Sequence, residues 1–128
     1  SSLTARAPEG GIVKIDCQSD NIDRDLFTVR LRGADERLRE CFSAGRAVSP
    51  GMEEAGFGFR ADVGPDGVVH TLEVAGDLPI REAYEEVRGC AYPLLKGMKH
   101  KVLGEGDGRV SCEFRWALVV PEEGQGDQ

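Results

Sequence analysis

The sequence predicts an α+β fold: an antiparallel sheet of three or four strands with two helices on one face, in the order β-α-β-β-α-β. Three observations carry this prediction. Two stretches repeat apolar residues at helical spacing, a Gly-Pro-Asp-Gly turn separates two alternating stretches, and a long alternating stretch closes the chain. Each of these elements has one apolar side, and a helix layer over one sheet face buries them together. At 128 residues the chain is long enough for one core.

Residues 1–10, with Pro8 and Gly10, read as an extended lead-in, and Ile12-Val13-Lys14-Ile15-Asp16-Cys17 has the β-branched content of a short first strand. From Ile22 onward Phe27, Leu31, Ala34, Leu38, Cys41 and Phe42 fall on one face of a long helix. Asp20 or Asn21 caps it, and Asp23 and Asp25 sit in its first turn, where negative charge meets the positive end of the helix dipole. Gly33 is its weak point, costing up to about 1 kcal/mol against Ala, and leaves open two shorter segments or a strand at Leu26 to Leu31.

Phe57, Phe59, Ala61 and Val63 then alternate with Gly58, Arg60 and Asp62, giving one apolar and one polar face. In Gly64-Pro65-Asp66-Gly67, Pro65 presets the first central torsion of a tight turn and Gly67 tolerates positive φ, so the chain reverses into Val68 to Val74 as a hairpin. Pro79 marks the start of a second helix, with Ile80, Ala83, Tyr84, Val87, Cys90, Ala91 and Leu94 on its apolar side, ending near Pro93 or Gly97. Lys96 to Gly108, with four glycines, reads as a long mobile loop. Val110, Cys112, Phe114, Trp116, Leu118 and Val120 form the apolar side of the last strand, with Trp116 and Tyr84 as core anchors. The domain runs over residues 11–121; residues 122–128 are an acidic, Gly-rich tail with too little apolar area to offset its ordering entropy.

Charge narrows the function classes. Lys and Arg number 16 against 23 Asp and Glu, a net charge of -7, which argues against nucleic acid as a partner. No apolar run approaches the roughly 18 residues of a membrane span. The histidines, His70 and His100, are isolated, and the four cysteines, Cys17, Cys41, Cys90 and Cys112, are too widely spaced for a zinc knuckle or a redox pair, so no metal or cofactor is expected. An even cysteine count instead favours two structural disulfides and an oxidising compartment. Spacing alone does not rank the three possible connectivities.

The chain from about Ile22 to Val120 resembles the C-terminal domain of TonB, the periplasmic energy transducer, and related domains of myxobacterial adventurous-gliding-motility proteins. The residues that carry it are the strand Phe57 to Val63, the turn Gly64-Pro65-Asp66-Gly67 and the strand ending Glu73-Val74-Ala75. The second helix with its exit Cys90-Ala91-Tyr92-Pro93, the Cys41-Phe42 step and the final strand with Phe114 complete it. Cys17, Cys112 and the enlarged loop before the last strand depart from the pattern. The resemblance implies a pairing of Cys41 with Cys90, leaving Cys17 with Cys112; closing the first loop would stabilise by roughly 4 kcal/mol. It also implies a non-enzymatic, periplasmic or cell-envelope module that binds an extended peptide or envelope protein by main-chain hydrogen bonding along its last strand. Val110, Ser111, Glu113, Arg115, Ala117 and Val119 would form that docking rail. If Cys17 bonds Cys112, the first strand occupies this edge and the partner site must move.

Two other readings stand beside this one. A disulfide-stabilised envelope domain with a blocked edge would bind through its helices or through the basic loop of Lys96, Lys99, His100 and Lys101. Third, a thiol-dependent enzyme would pair Cys90 or Cys112 with His70. The acids Asp20, Asp23 and Asp25 lack the Gly and distant Glu of a calcium loop, and Glu85 and Glu86 fall on the polar side of the second helix.

Overall fold

The β-branched Ile12, Val13 and Ile15 extend the chain into a first strand, β1 (Glu9–Asp20), which begins inside the stretch read as lead-in. The computed structural model describes residues 9–119, without the side chains of Glu9 and Val119. The rest of the lead-in and the acidic tail lie outside the described residues.

Two helices follow where one was predicted: α1 (Arg24–Gly33) and α2 (Asp35–Val48). Asp23, not Asp20 or Asn21, caps α1, its carboxylate accepting from the Leu26 N–H at 3.0 Å. The break falls at Ala34, whose backbone stays right-handed but opens to φ -94, ψ -2, and whose N–H is shared among the last carbonyls of α1. Gly33 weakens the helix there, and Ala34 is buried in the core, so packing fixes the corner. Among the described residues the order is thus β-α-α-β-β-α-β, with three helices over the sheet, not two.

The hairpin forms as the turn residues dictate. β2 (Glu54–Val63) reverses into β3 (Val69–Asp77); the Gly67 N–H bonds the Gly64 carbonyl at 2.8 Å, and Asp66 accepts from the Val68 N–H at 3.1 Å. Gly67 takes φ +84, and an added Cβ would run into the His100 carbonyl. The third helix, α3 (Arg81–Lys96), starts two residues after Pro79 and carries Pro93 within its last turn; the chain closes with β4 (Gly108–Val119).

The sheet is antiparallel throughout, in the order β1-β4-β2-β3. Its helix side carries Phe57, Phe59, Val110, Phe114 and Trp116, all buried. Phe42 of α2 stacks on Trp116 with ring centroids 6.1 Å apart, and Tyr84 of α3 lies 6.4 Å from Phe57. One disulfide, Cys17–Cys112, joins β1 to β4, and the other, Cys41–Cys90, joins α2 to α3.

Candidate functional site

The residues assigned to a docking rail do not form an edge. β4 pairs with β1 on one side and β2 on the other, so Ser111 lies between Gln18 and Arg60, Glu113 between Asp16 and Gly58, and Arg115 between Lys14 and Gly56. Main-chain groups already engaged on both sides cannot receive a peptide. Val110 is fully buried in the core, while Ser111, Glu113, Arg115 and Ala117 face the helix-free side; the Val119 side chain lies outside the described residues. The rail fails because β1 fills the place beside β4, pinned there by the Cys17–Cys112 bond.

That helix-free face is polar. Arg115 reaches Glu54 at 2.8 Å and Asp77 at 3.7 Å, and Arg109 reaches Asp62 at 3.1 Å. The Thr71 hydroxyl and then the Arg109 guanidinium hold the Asp62 carboxyl below the usual carboxylate range. Gly56, Gly58 and Ala75 floor a shallow trough across the strands. At one end of it Asp16 and Glu113 stand directly opposite each other, without a basic partner for either among the described residues.

The predicted basic loop is hydrogen-bonded to the body of the domain, and its basic residues do not form one patch. Asn21, at φ +58, ties it down: its amide oxygen accepts from the Gly104 N–H at 2.7 Å and its amide nitrogen donates to the Asp107 carbonyl at 3.1 Å. The Asp23 N–H bonds the Lys101 carbonyl, and the His100 N–H bonds the Gly67 carbonyl. His100 turns inward against Phe27, with 5.5 Å between ring centroids, and its Nδ1 has no hydrogen-bond partner among the described residues. Burial pushes its imidazole below the usual histidine value, and the nearby Arg30 adds to the shift. Lys99 and Lys101 are exposed, whereas Lys96 is half-buried and donates to the His70 carbonyl at 3.3 Å.

The free edge of β1 is a different surface, built from residues that the sequence did not mark as a site. Cys17 and Cys112 have Cα atoms 4.0 Å apart. That is the spacing of a non-hydrogen-bonded antiparallel pair, about 4.5 Å against about 5.5 Å for a bonded one. The N–H and C=O of Cys17 therefore turn away from β4, together with those of Ile15 and Ser19 two residues to either side. Beside this edge runs a groove of about 680 Å³ between β1 and α1. From α1 it is lined by Arg24, Phe27, Thr28, Leu31 and Arg32, which share one helical stripe at offsets of three, four, seven and eight; Asp16 of β1 and Asp35 of α2 also border it, the latter paired with Arg39 at 3.1 Å. Phe27 and Leu31 are buried at its base, and Ile15 stands 46% exposed at its mouth. Periodicity showed the apolar pair; the arginines in phase with it were the readable signal that was missed.

All four sulfurs are bonded, so the thiol that Cys90 or Cys112 would offer to His70 is not present as a thiol. His70 is exposed on β3, beside Asp66 at 3.7 Å. Among the described residues no group of three or more His, Cys, Asp or Glu is placed to hold a metal ion, and no helix is long and apolar enough to cross a membrane. No family model matches the chain, and no curated protein or solved structure matches it. What the geometry establishes is a small disulfide-bonded α+β domain with an open sheet edge.

Proposed function

We propose that the chain is a non-enzymatic interaction domain of an oxidising cell-envelope compartment, and that it holds its partner on the helix side of the molecule rather than along its last strand. The observation that carries this reading is the pairing of every cysteine, one bond bracing the strands and the other the helices. Such pairs persist in oxidising surroundings and are uncommon in a reducing cytosol. The hairpin, α3 and final strand, together with the Cys41–Cys90 pair between helices, support a finer assignment to an envelope machine of the TonB-like or gliding-motility kind. Acid quenching of intact cells of the native host, followed by maleimide labelling under denaturing conditions, tests the compartment. Protein that gains no label is the expected result, and protein that gains label on all four cysteines would overturn the reading.

A further inference from the structure

We infer that the groove between β1 and α1 takes an extended acidic segment of a partner protein, added as a fifth strand on the free edge of β1. The inference rests on the reading of the chain as a binding module and names the surface and the chemistry of what it binds.

The edge is available over a defined stretch. A bulge between Ile12 and Lys14, and Lys14 itself, guard its upstream half in the manner of edges that avoid pairing. Downstream, Ile15, Cys17 and Ser19 present main-chain groups with no hydrogen-bond partner outside the sheet among the described residues. A strand added there would lie about 4.8 Å outboard of β1. Alternate side chains of that strand would then point into the groove.

The groove specifies those side chains. Phe27 and Leu31 offer an apolar seat at its base. Arg24 and Arg32 flank the seat, and neither lies within 4.0 Å of a carboxylate among the described residues, although the chain carries a net charge of -7. They are eight residues apart on α1, about 12 Å along the helix axis. Four residues of strand span about 13 Å, so residues i and i+4 of the guest meet the two guanidinium groups while i+2 meets the apolar seat. The recognised pattern is acidic, any, apolar, any, acidic. A second copy of this chain fits worse, because edge-to-edge pairing about a two-fold axis brings a second α1, with its own arginines, to the same place.

The probe is an acetylated, amidated peptide, Ser-Glu-Thr-Leu-Thr-Glu-Ser, titrated to millimolar concentration into the ¹⁵N-labelled, oxidised protein. The amides of Ile15, Cys17, Ser19 and the facing side of α1 should shift. Arg24→Ala with Arg32→Ala should weaken binding about tenfold while leaving the remaining spectrum in place, and a peptide with Lys in place of both Glu should not bind. Shifts confined to β3 or to the helix-free face, an equal response to the Lys peptide, or no response would each overturn the inference. Cysteines that nonetheless gain no maleimide label in the quenched cells would leave the envelope reading standing.

Discussion

Cys17 faces Cys112 across the β1–β4 ladder, and the bond between them fastens the outermost strand to the strand that runs through the sheet. The two residues are separated by 95 positions, nearly the whole described length. The bond therefore removes a large share of the freedom of the unfolded chain.

Replacing both with alanine should cost about 3–5 kcal/mol in denaturant unfolding. The effect should be local as well as global. Hydrogen exchange should quicken first in β1 and along the β1 side of β4, while amides between α2 and α3, braced by Cys41–Cys90, keep their relative protection.

Acidification should destabilise the protein through His100. Its folded pKa lies below the ordinary value of 6.5 because the ring is buried against Phe27. Above the unfolded value both states are neutral and the residue adds no pH dependence. As the pH falls from about 6.5 towards the lower folded value, the unfolded chain takes up the proton first and stability drops. His100→Phe should keep the packing and flatten this part of the profile, measured as urea midpoint against pH relative to the unaltered protein.

Asn21 should prove more costly to remove than a half-buried polar residue usually is. Asn21→Ala loses the bonds to Gly104 and Asp107 and places a Cβ-bearing residue without a compensating amide at φ +58, for a loss of about 2 kcal/mol. Asn21→Gly keeps the backbone geometry and isolates the hydrogen-bond share, so it should lose less. Proteolysis within residues 100–108 should accelerate in both variants.

Asp16 and Glu113 face each other as like charges on the helix-free side. Glu113→Lys converts that repulsion into an attraction and should raise stability by about 0.5 kcal/mol. The gain should shrink as salt is added, since both groups are solvent-exposed.

Local chemistry made the hairpin, α3 and the final strand legible. Gly64-Pro65-Asp66-Gly67 fixes its own turn, and alternation fixes which side of Val110 to Trp116 is buried. Non-local packing decided the rest. Gly33 showed where the long helix is weak, but only the burial of Ala34 turns that weakness into a corner. Gly10 weakens a strand by propensity, yet its backbone lies against the Trp116 ring, where an added Cβ would collide with the indole. The mobility expected of residues 96–108 overlooked Asn21, a residue type that tolerates positive φ and carries both a donor and an acceptor. Strand order was legible only conditionally: a Cys17–Cys112 bond puts β1 beside β4 and closes the rail, but spacing alone does not rank that connectivity.

The central claim is tested most directly by proteolysis of the native, alkylated protein under non-reducing conditions, followed by mass spectrometry. Peptides holding Cys17 should be recovered bonded to those holding Cys112, and Cys41 bonded to Cys90, with no alkylated cysteine. Alkylated thiols throughout, or Cys17 bonded to either helix cysteine, would contradict the account.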